Sequence, residues 1–316
     1  MPQIDQGDLK KDILSGITLT SLIFGASIYL PIIGFFASLF IPLPIVFYRL
    51  KLGRRNGSII PVATFMIMVV LLGGMSPDMI FFIGLLILGF TLGESMESNV
   101  SIERTVLYPC TLVLFAGIVG LIFYTNISGT GLVALTTQYV AKNLEMTMDL
   151  YENMGIPEEN IHMISSSLKT IEYILVRIIP SLAASLCLLV AWISILLARP
   201  LLKAKNLFSP NFASLNLWKA PEFLVWGVIG CGLVLLLPQK IPGILALNLL
   251  IILMTIYFFQ GISIVSFYFE KKRLPKILSF FLYSIMALQQ ILLLLVIGLG
   301  FFDIWLNFRK LNQEKK

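Results

Sequence analysis

The chain has 316 residues, 58% of them hydrophobic and 13% charged, with a net charge of +6 and a mean hydropathy of +0.92. Soluble domains carry about 45–50% apolar and about 25% charged residues, so the composition excludes a soluble globular domain. It points to an all-α, polytopic membrane protein and leaves no role for nucleic acid.

In chain order, nine apolar segments stand out: 13–30, 32–48, 59–73, 78–93, 105–124, 172–199, 222–237, 243–269 and 277–302. They predict about eight or nine membrane spans. Lys10 and Lys11 precede the first run, but no small-residue cleavage site follows. This start is read as an uncleaved first span behind a short segment, 1–12. After the second segment come Arg49, Lys51, Arg54 and Arg55; Arg199, Lys203 and Lys205 follow the sixth, and Lys271, Lys272, Arg273 and Lys276 the eighth. Even numbers of spans separate these basic loops, so all three are expected on the cytoplasmic side of a cell membrane, with the N-terminus. The basic tail after the ninth segment does not fit this alternation.

Gly89 and Gly93 stand four apart, as do Ser21 and Gly25, a spacing that lets helix backbones approach. Glu94 and Glu97 end the fourth segment and are expected at the inner interface. From 132 to 154 polar residues recur at helical spacing, among them Gln138, Lys142, Glu145, Asp149 and Glu152. This is an amphipathic helix with a narrow wet stripe. Gly155 and Pro157 read as a stop and a start, so 129–170 is expected as an external helical hairpin holding the only histidine, His162. A helix over 157–199 would be roughly 65 Å long, about twice the hydrocarbon core, so it must protrude or bend, with Pro180 the natural kink site.

Ionisable and amide side chains inside spans are costly and usually face the bundle interior or a cavity. The candidate ligand-binding residues are therefore Glu172 and Arg177 entering the sixth segment, Asn248 and Gln260 in the eighth, and Gln289 and Gln290 in the ninth, with Asp303 just beyond. For Arg177 a snorkelling side chain is the competing reading; for the glutamines it is interhelical hydrogen bonding. Cys110, Cys187 and Cys231 lie in apolar runs without metal-ligand spacing. His162 belongs to no HExxH motif and to no carboxylate–histidine cluster suitable for a metal, and no phosphate-cradling glycine loop occurs. Ser166 to Lys169 fits Ser-x-x-Lys only formally. No enzyme, cofactor or metal site is expected.

The runs "RIIPSLAASLCLLVAWISILLARPLL", "NLWKAPEFLVWGVIG", "NLLIILMTIYFFQGISIVSFYFEKK" and "GLGFFDIWLNFRK" resemble the YybS-like family of bacterial integral membrane proteins, a domain of unknown function. The residues carrying the resemblance are Pro180, Trp218, Pro221, Gln260, Gly261, Asp303 and Arg309. The N-terminal part is also similar to the substrate-binding S components of energy-coupling-factor transporters. The likeness rests on six spans and a glycine turn after the second, here Leu52, Gly53 and Gly57. The alanine-x-x-x-alanine docking pattern of that family is not evident, and three further segments follow. The resulting division is a six-span core over 13–199 that includes the hairpin, a basic loop 200–221, membrane segments 222–302 and a basic tail 303–316. The S-component resemblance implies a small-molecule ligand bound on the outer side. The rival expectation is a non-transporting assembly protein whose hairpin and cytoplasmic loops meet a membrane or cytoplasmic protein partner. Either one contacts the lipid bilayer.

Overall fold

In the computed structural model, which describes residues 6–30, 33–74, 78–154, 158–212 and 214–309, the apolar runs fold as helices. These are α1 (Gln6–Tyr29), α2 (Ile33–Ser38), α3 (Pro42–Gly57), α4 (Ile59–Leu71), α5 (Asp78–Glu97), α6 (Ile102–Ser128), α7 (Leu132–Asn153), α8 (Glu158–Ala204), α9 (Leu224–Leu235), α10 (Lys240–Lys271), α11 (Lys276–Leu288) and α12 (Gln290–Leu306). Among the described residues six stretches are long and apolar enough to cross a membrane: Asp8–Tyr29, Gly34–Gly57, Asp78–Glu97, Ile102–Ser128, Ile164–Ala204 and Ile241–Lys271. Two shorter apolar helices, α4 and α9, and one bent pair, α11 with α12, account for the other three sequence segments. Large apolar side chains point outward along these helices. On α6 alone, Leu112, Phe115, Ile118, Ile122 and Phe123 are exposed, a surface that only lipid or another apolar phase can cover. The chain is a polytopic α-helical membrane protein.

Two compact units divide the chain: Met1–Arg177 with Leu186–Asn211, and Ile178–Ser185 with Phe212–Lys316. In the first unit α3 crosses α5 where Gly89 and Gly93 leave room. A Cβ on Gly89 would stand 2.9 Å from Pro42 Cα and Ile45 Cβ, and one on Gly93 would stand 2.6 Å from Arg49 Cγ. The expected close approach at these two glycines is therefore present. At Gly25 it is not, because a Cβ there would meet nothing within 4 Å; Gly16 is the tight position of α1, against Ile60 and Tyr48. Phe24, Ile41, Ile60, Met68, Leu88 and Leu92 form the buried interior.

The polar block expected to be a hairpin is helical on both sides of residues 155–157, which lie outside the described residues, as does the side chain of His162. Val140 is the buried residue of α7. The Tyr139 hydroxyl donates to Asp78 Oδ1 (3.0 Å), which ties α7 to the start of α5. Burial first, then the neighbouring Asp78 carboxylate, pushes the Tyr139 phenol up, so it stays a donor. α8 is helical through Pro180 over 47 residues. At 1.5 Å per residue that is roughly 70 Å, far longer than the hydrocarbon core.

The second unit is built on α10 and α12. A Cβ on Gly261 would lie 1.9 Å from Val296 O, and one on Gly300 2.0 Å from Tyr257 O. The two backbones therefore touch at a site where any side chain is excluded. Cys231, Ala246 and Leu253 form a smaller apolar cluster between α9 and α10. The segment 277–302, expected as one apolar segment, is broken: α11 and α12 meet at 102°. Gln289 is extended (φ −96°, ψ 110°) and ends one helix while starting the next. No proline or glycine marks the break. The two consecutive amides are exposed there, which suits a point where backbone groups leave the helical ladder.

Candidate functional site

The densest polar arrangement lies in the second unit, at the end of α12. Asn307 adopts the left-handed conformation (φ 41°, ψ 58°) and caps α12, its N–H donating to Asp303 O. Asparagine tolerates that conformation better than most side chains. The reversal turns Phe308 and Arg309 back along the helix: Phe308 N donates to Asp303 Oδ1 (2.9 Å), and Tyr268 Oη donates to Phe308 O (2.7 Å). Arg309 Nη2 then reaches Asp303 Oδ2 at 2.9 Å, with both side chains at 0% exposure.

The same arginine reads the segment before α9. Its Nη1 lies 2.9 Å from Asn216 O, 3.0 Å from Trp218 O and 2.9 Å from Ser263 Oγ, two protons shared among three acceptors. Ser263 Oγ is 2.9 Å from Leu215 O and 3.1 Å from Trp218 O and gives its single proton to either. Gln260 completes the node. Its Oε1 accepts from Ala220 N (3.1 Å) and its Nε2 donates to Asp303 Oδ2 (3.1 Å). A buried arginine–carboxylate pair is tolerable only when the remaining donors and acceptors are also met. Here they are met largely by the backbone of residues 215–220. Arg309 Nε and Tyr257 Oη are enclosed without a hydrogen-bond partner among the described residues.

Of the residues singled out by sequence, Gln260 lies at the centre of this node. Asn248 sits farther along α10: its Oδ1 accepts from Ser181 N (3.2 Å) and its Nδ2 donates to Ile244 O (2.9 Å). The neighbouring Pro180 has no amide hydrogen, and a side-chain amide from another helix is a usual way to steady backbone polar groups near such a proline. Gln289 and Gln290 are at the bend, away from the node. Glu172 and Arg177 are half-buried on α8. Arg177 donates through Nη1 to Tyr173 O (2.9 Å), and its guanidinium lies 3.3 Å from the Tyr173 ring centroid.

A second polar cluster was only half visible in the sequence. Arg49, expected as a loop charge, is 1% exposed and stands among the acids at the end of α5. Its Nε donates to Glu94 Oε1 (2.6 Å) and its Nη2 to Glu97 Oε2 (2.6 Å), while Arg54 Nε lies 3.6 Å from Glu94 Oε2. Gly57 and Gly93 supply the space for its stem. The signal was Gly93, four positions from Gly89 at a spacing that lets helices approach. In the second unit Ser263 and Asn216 were missed, because neither belongs to a periodic pattern.

The comparisons with known proteins agree on the class. The family described as "Predicted membrane protein (DUF2232)" matches residues 18–304. A curated relative, "Uncharacterized protein YybS" of Bacillus subtilis (strain 168), is 23% identical over 283 residues, covering 82% of this chain and 84% of that protein. No solved structure matches. Four of the residues that carried the resemblance, Trp218, Gln260, Asp303 and Arg309, are the ones gathered in the node.

Proposed function

The chain belongs to the DUF2232 family of predicted membrane proteins, and we propose that it is a non-enzymatic, non-transporting assembly protein that offers a preformed loop to a protein partner. One observation carries this reading. Three polar side chains buried in the second unit, Arg309, Ser263 and Gln260, bind the backbone of residues 215–220. A buried ion pair is a poor source of stability but a good way to specify one arrangement, and the arrangement specified here is that of a loop. The same segment, with the residues after it, presents Leu217 and Phe223 outward, at 41% and 70% exposure. Preorganised apolar anchors of this kind suit recognition, since a loop held in shape loses little freedom on binding.

The rival reading, a small solute bound by an S-component-like core, draws on one feature of the first unit. Gly53 breaks α3 with φ 79° and ψ 175°, where that family has its glycine turn. Gln260 and Asn248, proposed as lining for a solute site, are occupied by internal partners, which favours the assembly reading.

A photo-crosslinking amino acid placed at Leu217 or Phe223 in living cells tests the choice. A discrete protein adduct is expected, and it should weaken when Arg309→Gln loosens the loop while the chain still inserts. Absence of any adduct from either position, together with saturable uptake of a solute by reconstituted vesicles, would overturn the reading.

A further inference from the structure

The end of α10, the turn after it and α11 enclose an open cleft of about 490 Å³, within the ~300–1,000 Å³ typical of small-molecule sites. Its walls include Ser266, Phe269, Glu270, Arg273, Ser279 and Tyr283. Among them are one carboxylate and one guanidinium only three residues apart in sequence, yet no ion pair joins them. Glu270 Oε2 accepts from Asn216 Nδ2, which leaves Oε1 for a second donor. Arg273 is held in the left-handed conformation (φ 50°), its N–H donating to Glu270 O. The cleft therefore presents charges of opposite sign that do not pair with each other, with the hydroxyls of Ser266, Ser279 and Tyr283 in the same lining.

Its surroundings say what kind of molecule brings such charges. At 13 residues, roughly 20 Å, α11 is too short to cross a hydrocarbon core of about 30 Å. It also turns 102° away from α12. Ile277, Phe280, Phe281 and Leu288 are exposed on it, at 86%, 74%, 59% and 82%. Lys271, Lys272 and Lys276 gather at the end that adjoins the cleft. A short helix with an apolar face and a basic start is the form of an interfacial helix. That placement puts the cleft at headgroup depth.

We propose that this cleft binds the headgroup of an aminophospholipid, a phosphate ester carrying a primary ammonium. Arg273 takes the phosphate through its planar donor fork. Glu270 takes the ammonium, and Ser266, Ser279 and Tyr283 supply neutral hydrogen bonds around it. The exposed face of α11 lies along the acyl chains. A purely anionic headgroup would satisfy Arg273 but bring no cation to Glu270.

The test uses the purified full chain in detergent, titrated with short-chain phosphatidylethanolamine, phosphatidylcholine and phosphatidylglycerol and, separately, with free phosphoethanolamine. Binding is read by thermal shift and by native mass spectrometry. Phosphatidylethanolamine is expected to bind about tenfold more tightly than the other two lipids and than the free headgroup. Glu270→Gln should abolish that preference and raise phosphatidylglycerol to at least equal affinity. Arg273→Asn, which suits the left-handed backbone, should weaken all phosphate-bearing lipids. Equal binding of phosphatidylglycerol by the parent chain would make this an anion site and overturn the proposal. So would indifference to the headgroup, or a Glu270→Gln variant that keeps its preference. Free phosphoethanolamine binding as tightly as the lipid would assign the cleft to a soluble phosphate ester, which also overturns it.

Discussion

Asp303 and Arg309 are six residues apart on either side of the end of α12, and their side chains pair at 2.9 Å with neither reaching solvent. Removing one member strands the other as a buried charge, which costs about 3–5 kcal/mol, whereas replacing both with apolar groups is often close to neutral. Asp303→Leu and Arg309→Met are each expected to lower the unfolding free energy by about that amount. The double variant should recover only part of the loss, because Phe308 N, Gln260 Nε2 and the carbonyls of Asn216 and Trp218 still lack their partners. Unfolding in mixed micelles, followed by far-ultraviolet circular dichroism, gives the cycle; additive losses would contradict it.

The Arg49 cluster should respond with the opposite asymmetry. Arg49 is 1% exposed while Glu94 and Glu97 are 30% and 54% exposed, so the acids can turn to water and the arginine cannot. Arg49→Met is expected to cost about 1–2 kcal/mol, and Glu94→Gln with Glu97→Gln about 3–5 kcal/mol. The same unfolding measurement ranks the two; a costlier Arg49→Met reverses the argument.

At the α10–α12 crossing, Gly261→Ala and Gly300→Ala should each force the helices apart and cost about 1–3 kcal/mol or more, as overpacking does. Gly298→Ala, on the same helix as Gly300 and with open space at its Cβ, should change stability by about 0.5 kcal/mol at most. Membrane yield and detergent melting temperature separate the cases.

Gln260→Leu leaves the buried Ala220 amide without its acceptor and is expected to cost about 1–3 kcal/mol. Gln289→Leu and Gln290→Leu, at exposed positions of the bend, should stay within about 0.5 kcal/mol. If all three behave alike, the node is not what makes Gln260 special.

The basic loops carry an orientation that chemical labelling can read. In a variant lacking Cys110, Cys187 and Cys231, single cysteines at Arg55, Lys203 and Lys272 should resist an impermeant thiol reagent in intact cells. Cysteines at Lys142 and Ser166 should react. Reaction at 55 with protection at 142 inverts the topology.

Hydropathy alone carried the sequence to nine apolar segments, and each has a counterpart among the helices. What it could not show was the break at Gln289, because the residues on both sides are apolar and helix-forming and a bend without proline or glycine leaves no period change. Arg49 was misplaced for a related reason. Its sequence neighbours are solvated basic residues, and its acidic partners stand 45 and 48 positions away. The node was partly visible: Gln260, Asp303 and Arg309 were marked one by one, but only the left-handed turn at Asn307 brings the arginine back to the aspartate. Glu172 and Arg177 were marked by the same cost argument, and the contacts of the arginine include a local one to Tyr173 on α8.

The pinned loop also sets an order of events during synthesis. Arg309 is made 93 residues after Asn216, whose carbonyl it holds. Until α12 has emerged and reversed at Asn307, the carbonyls of Asn216 and Trp218 have no guanidinium to bind. The second unit therefore cannot close until residue 309 has been made, and before that point the loop lacks the donor that fixes it.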